Sequence, residues 1–236
     1  MFKFKKFTIF QKQTFMKVCT DSCIFGSLIE IEEKTSNILD IGTGTGLLAL
    51  MQAQKKNSTH IIGIEIESLA AQEASSNVKN SNFNSQITII NDSLQNYLTH
   101  AKTKFDLIIS NPPFYENQLL SSKKGKNIAH HSITLTFDEL CQGSSTLLAE
   151  NGSFWVLLPI KEMSNFVEIA KKYDFLVQNM ISIKHNPMKT EFRKIALFKK
   201  EKLFVQKNEE ICIYESDSKT YSQRFINLLS DYYLNF

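Results

Sequence analysis

Cysteine, proline, glycine and tryptophan are all scarce in this 236-residue chain, which holds 4 Cys, 4 Pro, 8 Gly and 1 Trp. The cysteines, Cys19, Cys23, Cys141 and Cys212, form no C-x-x-C pair, and no histidine stands at zinc-ligand spacing from Cys19 and Cys23. Free thiols, buried or half-buried, are expected, with no metal, as suits a reducing cytoplasm. No apolar run approaches transmembrane length. The charged start, Met1-Phe2-Lys3-Phe4-Lys5-Lys6-Phe7, leads into no continuous apolar stretch, so a signal peptide is not expected either. A cytoplasmic protein away from the membrane follows as the expectation. Repeats, low-complexity tracts and linkers are missing, and so is the G-x-x-x-x-G-K-[ST] of a phosphate-cradling loop. Charge of one sign is also limited. With 27 Lys and Arg against 24 Asp and Glu, the net +3 demands no nucleic-acid partner but permits one where lysines cluster.

What is present is a soluble core composition, with 42% hydrophobic residues, in a length that suits one α/β domain and is short for two. Residues 1–20 read as short strands around a turn, with Phe7, Ile9, Phe15 and Val18 as core contacts. A helix is expected from an N-cap at Asp21 or Ser22, carrying Ile24 and Leu28 inward. From Ile38 the chain alternates. Strands are expected at Ile38–Ile41, Ile61–Glu65, Ile87–Asn91, Asp106–Ser110 and Ser153–Leu158. Helices are expected at Leu47–Lys55, Leu69–Lys79, Ser93–Thr99, Phe137–Ala149 (closed by Asn151-Gly152) and Lys161–Tyr173. This alternation predicts a parallel sheet with helices on both faces. Leu176–Lys184 and Phe192–Lys199 predict an antiparallel hairpin at the sheet edge, followed by a short strand at Ile211–Tyr214 and a helix at Tyr221–Tyr233. Trp155 falls in a strand and is expected in the core.

Three of the eight glycines sit in one turn, Asp40-Ile41-Gly42-Thr43-Gly44-Thr45-Gly46, directly after a strand. Such a turn lets backbone approach a ligand and aims helix N–H groups at it. Its G-x-G-x-G spacing differs from the dinucleotide pattern, because Leu47 stands beyond the last glycine. Two of the four prolines sit in Asn111-Pro112-Pro113-Phe114, at the carboxyl end of another strand, where open α/β sheets bind ligands. The prolines make that turn rigid. An exocyclic amino group is a poor nucleophile because its lone pair is delocalised into the ring. The Asn111 side-chain oxygen and the Pro112 carbonyl can accept its two N–H bonds and so aim the lone pair, while Phe114 stacks on the base. Asn111 does not ionise, so positioning and electrostatics rather than a strong base would carry the rate.

The motifs leave several targets open: a nucleobase in tRNA or rRNA, a DNA adenine, or a protein glutamine. The short segment before the glycine turn argues against the helical N-terminal domain carried by the glutamine-directed enzymes that this motif resembles, and a large DNA-recognition domain is not expected in this length. A nicotinamide-dependent oxidoreductase is opposed by both turns. A non-catalytic RNA-binding scaffold is opposed by their being intact together.

The glycine turn resembles the first motif of class I methyltransferases. The chain as a whole resembles the bacterial tRNA1(Val) (adenine-37-N6) methyltransferases nearly end to end. The resemblance rests on Lys17-Val18-Cys19-Thr20-Asp21, on the run Leu39–Met51, on Asp106–Phe114 and on Tyr221-Ser222 before an aromatic ending. It implies a Rossmann-like fold with a seven-stranded, mostly parallel sheet in a single domain. That domain would comprise an N-terminal arm and helix (1–36), a core (37–200) and a C-terminal strand and helix (201–236). S-adenosylmethionine is the implied cofactor, held by Asp40, Gly42, Thr43, Gly44, Gly46, Glu65, Ile66, Asp92, Ser93 and Asn111, with Lys17, Thr20 and Asp21 from the arm. In the family the acidic end of the second strand, here Glu65, accepts the ribose hydroxyls. The third strand ends near the adenine, here at Asp92, although Asp92 could instead cap the helix after it. Asn111, Pro112, Pro113 and Phe114 would be catalytic, and the implied substrate is tRNA, met by a monomer. Two departures stand out: Phe114 where many relatives have Tyr, and Ser22 where relatives often have Gly.

Three basic segments are candidates to face RNA. Lys123, Lys124, Lys126, His130 and His131 follow the catalytic turn in a long polar stretch, Tyr115–Thr136, of the kind that is usually functional or mobile. The interleaved Phe and Lys of residues 2–7 could grip RNA, or could pack phenylalanines inward with lysines in water. Lys184, His185, Lys189, Arg193 and Lys194 on the hairpin read as a solvated edge.

Overall fold

The computed structural model describes residues 1–14, 16–112, 135–201 and 207–236. The expected core contact Phe15, the turn residues Pro113 and Phe114, and the loop residues Lys123, Lys124, Lys126, His130 and His131 lie outside them. The elements in chain order are β1 (Phe2–Lys3), β2 (Thr8–Ile9), α1 (Thr20–Leu28), β3 (Asn37–Ile41), α2 (Leu47–Lys55), β4 (His60–Glu65), α3 (Ser68–Lys79), β5 (Ile87–Asn91) and α4 (Leu94–His100). They continue with β6 (Phe105–Ser110), α5 (Phe137–Leu147), β7 (Leu148–Leu158), α6 (Ile160–Lys171), β8 (Leu176–Lys184), β9 (Glu191–Lys199), β10 (Lys207–Cys212) and α7 (Gln223–Leu229).

One eight-stranded sheet runs in the order β10-β8-β9-β7-β6-β3-β4-β5, and β1 and β2 form a separate antiparallel pair. Five neighbouring strands, β7, β6, β3, β4 and β5, are parallel. Among the described strands of this sheet only β9 runs against its neighbours, and β10 joins β8 in parallel. The sheet therefore has eight strands rather than seven. The antiparallel β8–β9 hairpin lies toward one edge of it, and β10 pairs along the outer side of β8 from Lys207–Asn179 to Cys212–Lys184.

The central strands are buried on both faces, as parallel strands between helices must be. Along β6, Leu107 and Ile109 face one core and Ile108 the other. Along β7, Trp155 and Leu157 face the first, and Phe154, Val156 and Leu158 the second. The first core packs against Ile24 and Phe25 of α1, Leu50 and Met51 of α2, and Phe225 and Leu229 of α7. The second packs against Leu140 of α5 and Phe166 of α6. Burying a side chain of this size is worth about 1.5–3 kcal/mol, so these two layers dominate the stability.

Several local expectations are corrected. Helix α1 starts at Thr20 with Cys19 as its N-cap, because the good capping groups of Asp21 and Ser22 are engaged elsewhere. Asn151 does not close a helix. It lies within β7 with φ +62°, at an irregularity where the register against β6 jumps from Phe105–Leu148 to Leu107–Ser153. Asn tolerates that backbone region better than most residues. Helix α5 instead ends at Leu147 and begins with a capping box between Thr136 and Glu139. The cap of α4 is Ser93, whose side chain accepts from the Asn96 backbone N–H, and not Asp92. Helix α7 is shorter than expected and is capped by Ser222. Cys19 is exposed rather than buried.

The N-terminal phenylalanines pack inward. Phe4 and Phe7 are buried and stack at 4.6 Å, while Lys3, Lys5 and Lys6 are exposed. Lys5 also donates to the carbonyls of Ser230 and Phe236, tying the arm to the C-terminal segment.

Candidate active site

The parallel strands deliver their carboxyl ends to one edge, and the site forms there. After β3 the chain turns through Gly42, Gly44 and Gly46, whose φ angles are +72°, +56° and +80°. Side chains rarely adopt this left-handed region, which explains glycine at alternate positions. Gly42 and Thr43 donate backbone N–H groups to the Ile64 carbonyl at 2.9 and 3.0 Å, which fixes the turn to β4. Asp40 lies fully buried beneath the turn, and its carboxylate accepts from the Thr43 hydroxyl at 2.6 Å. Burial pushes the Asp40 carboxyl up to about 7. Asp40 thus braces the turn from below and does not line the open pocket.

That pocket is bounded by Met16, Lys17, Val18, Ser22, Leu47 and Leu48, by residues 42–45 of the turn and by Asn111. Glu65, at the end of β4, reaches the glycine turn that lines this pocket. One carboxylate oxygen accepts from the Gly44 N–H at 2.9 Å and the other from the Glu67 N–H at 3.0 Å. Each oxygen keeps a lone pair to accept from a ligand hydroxyl. Ile66 follows, 42% exposed, as an apolar surface. At the end of β5, Asp92 accepts from the Ser93 N–H and the Asn96 amide, and its own N–H donates to the Glu65 carbonyl at 3.1 Å.

Asn111 directly follows β6 and is 9% exposed. Its Nδ2 donates to the Ser22 Oγ at 3.0 Å. With Nδ2 so engaged, Oδ1 is left as an acceptor with no partner among the described residues. A buried acceptor without a partner is costly, so one that persists next to a pocket is a place for a ligand donor. Pro112, also buried, follows it.

Lys17 lines the pocket, Thr20 is exposed, and Asp21 is turned to Arg193. Asp21 is ion-paired with the Arg193 Nε at 2.9 Å and accepts from the Ser22 N–H.

Sequence reasoning missed Ser22, Glu73 and Asn77. Glu73 accepts from the N–H groups of Lys12, Gln13 and Thr14 and from the Thr14 hydroxyl. Burial would raise its carboxyl, but these four donors outweigh it and hold Glu73 below its ordinary value. Asn77 bridges Phe10 and the Thr45 carbonyl. Together they strap residues 10–14 across the glycine turn. Nothing in periodicity marks such partners, since they are 32 to 67 residues apart.

The set fits S-adenosylmethionine. The glycine turn offers open backbone, with no atom within 4 Å of where a Gly42 side chain would begin. Lys17 could meet a carboxylate, Glu65 a ribose diol and Ile66 an adenine face. Among the described residues no group of three or more His, Cys, Asp or Glu could hold a metal ion, and no helix is long and apolar enough to cross a membrane.

The methyltransferase small domain family model matches residues 20–205. The tRNA1(Val) (adenine(37)-N6)-methyltransferase of Dyadobacter fermentans is 38% identical, covering 100% of this chain and 98% of that protein. The chain belongs to this methyltransferase family. The same-named proteins of Cytophaga hutchinsonii and Trichodesmium erythraeum are 37% and 35% identical over 99% and 100% of the chain, with 98% of each relative covered. Solved structures agree on the fold. A predicted O-methyltransferase from Agrobacterium tumefaciens superposes with a TM-score of 0.71 at 12% identity, covering 89% of this chain and 95% of that one. A ribosomal protein L11 methylase from Lactobacillus delbrueckii gives 0.57 at 17% identity, covering 82% and 84%. Within the family, the Rossmann-like class I architecture and S-adenosylmethionine dependence follow.

Proposed function

We propose that this chain methylates the exocyclic N6 of adenine-37 in tRNA1(Val), the reaction for which its relatives are named. One observation carries the reading: the buried Asn111 amide, oriented by Ser22, holds Oδ1 beside the glycine-turn pocket as an acceptor with no partner among the described residues. S-adenosylmethionine, when bound, supplies a methyl group made electrophilic by its sulfonium. The chain's residues do the rest. Asn111 Oδ1 and the Pro112 carbonyl accept the two N–H bonds of the adenine amino group. This draws electron density onto nitrogen and aims its lone pair. The methylated nitrogen is cationic and acidic, so it gives a proton to water without a protein base. Glu65 orients the ribose hydroxyls, and Lys17 offsets the charge of the amino-acid carboxylate. Holding reactants in line in this way can lower a barrier by about 7–11 kcal/mol at best.

The substrate target has a direct test. Unmodified tRNA1(Val) transcript, its A37→G counterpart and a transcript of another tRNA are incubated with S-adenosylmethionine. Methyl transfer to the first alone is expected. Equal transfer to the A37→G transcript would place the target at another nucleotide.

A further inference from the structure

The carboxyl edge of the sheet extends well beyond the pocket. Strand β8 ends there at Lys184, β9 begins there at Glu191, and β10 ends there at Cys212. The end of β7 adjoins them through the Leu158–Lys194 pairing. Two ring stacks stand on this edge. The His185 ring lies parallel on Phe192, with centroids 4.4 Å apart and planes 9° apart, and His185 is exposed. Tyr221, 39% exposed, is held between Tyr214, at 4.9 Å and 17°, and Phe225, at 5.0 Å and 24°. The stacks are neighbours, because the Tyr214 N–H donates to the His185 carbonyl at 2.8 Å.

A short chain of contacts leads from the stacks to the reacting group. Arg193, beside Phe192 in sequence and 5.7 Å from its ring centroid, is ion-paired with Asp21. Asp21 precedes Ser22, which holds Asn111. The cations of this edge are largely committed. Lys184 pairs with Glu210, Lys194 with Glu191, and Arg193 with Asp21. Beside these pairs and the exposed Lys189, the edge offers a partner aromatic face.

We infer that His185 on Phe192, beside the ring stack of Tyr214 and Tyr221, forms a stacking platform for an unpaired RNA base that flanks the target adenine. The inference rests on the proposed tRNA reaction and adds where and how the RNA is held. Sequence-specific RNA enzymes read single-stranded loops, whose splayed bases stack on aromatic rings, and duplexes hide those faces. Pre-stacked rings are already immobilised, so a base that continues the stack orders little else.

The test uses the full chain with unmodified tRNA1(Val) transcript, and measures Kd at several salt concentrations beside the Kd for S-adenosylmethionine. His185→Ala is expected to weaken tRNA binding about tenfold, whereas Tyr221→Phe, which keeps a ring between Tyr214 and Phe225, should bind within about twofold of wild type. The slope of log Kd against log salt should stay that of the wild type, since no phosphate contact is lost. Cofactor affinity should not move. His185→Phe, which keeps a ring, should bind within about twofold of wild type by the same stacking argument. A blunt RNA duplex should not compete. Unchanged tRNA affinity in His185→Ala, with wild type still methylating tRNA, would overturn the platform and leave the reaction standing. So would a loss in His185→Phe equal to that in His185→Ala. Wild-type protein that neither binds nor methylates tRNA would overturn both readings.

Discussion

Ser22 and Asn111 make a graded test of how the amino group is held. Asn111→Ala removes Oδ1, the one buried acceptor beside the pocket with no partner among the described residues. Losing a preorganised polar group of this kind at a reacting centre costs about 10²–10³ in rate, or roughly 2.7–4 kcal/mol. Ser22→Ala keeps Oδ1 but removes the 3.0 Å bond from Nδ2 that orients the amide. A hydrogen bond of this kind is worth about 1 kcal/mol net, which is about fivefold. The amide can then turn its NH2 toward the adenine, where it repels instead of accepting. The two effects are not independent. Once Asn111 is Ala, Ser22 has nothing to orient, so the double variant should be no slower than Asn111→Ala alone. Single-turnover methylation of tRNA reads the rate, and calorimetry confirms that cofactor affinity stays within a few-fold. Ser22→Thr, which keeps a hydroxyl, should restore most of the rate. If Ser22→Ala slows the double variant by its full fivefold, Ser22 acts on folding or the cofactor and the reasoning fails.

Glu65→Ala should weaken S-adenosylmethionine binding tenfold to about a hundredfold, the worth of about 1.5–3 kcal/mol for hydrogen bonds to a charged group, and an unchanged dissociation constant would remove Glu65 from the site. Asp40 carries a pH signature. Its folded carboxyl sits near 7 against an ordinary 3.8, so between about pH 4 and 7 the native state keeps a proton that the unfolded state has released. Stability is therefore lost as pH rises through that window, by up to about 4 kcal/mol, and Asp40→Asn should abolish that loss while sparing the low-pH end. Urea denaturation across the window checks this, and a constant gap between the two proteins would refute it. A Gly63→Ala side chain would begin 2.9 Å from the Thr43 Oγ1 and 2.8 Å from the Ile89 Cδ1. It should cost about 1–3 kcal/mol in unfolding free energy and loosen cofactor binding through Thr43, and wild-type stability would contradict that.

The periodic parts of the chain were legible in its sequence. Helix α2 and strands β5 and β8 fall where the apolar spacing and turn residues put them. The glycine turn and Asn111 could be placed at neighbouring strand ends because parallel topology follows from β-α alternation. Side chains whose partners are remote in sequence were not legible. Asp21 and Ser22 look like helix caps, but one is drawn to Arg193 and the other to Asn111, and the helix starts ahead of both. Asn151-Gly152 has helix-ending chemistry, yet the same left-handed backbone serves an irregularity in β7. Strand β10 begins before the apolar Ile211, at charged residues paired with β8, so its full length carries little hydrophobic signal. The hairpin cations read as a solvated edge, and their ion pairs agree with that, but the ring stacks beside them emerge only in three dimensions.

The most direct measurement uses methyl-labelled S-adenosylmethionine and total tRNA from a strain lacking this protein, followed by digestion and nucleoside mass spectrometry. The account predicts label in N6-methyladenosine from one valine tRNA, absent with Asn111→Ala. Label in protein or rRNA with none in tRNA would contradict it.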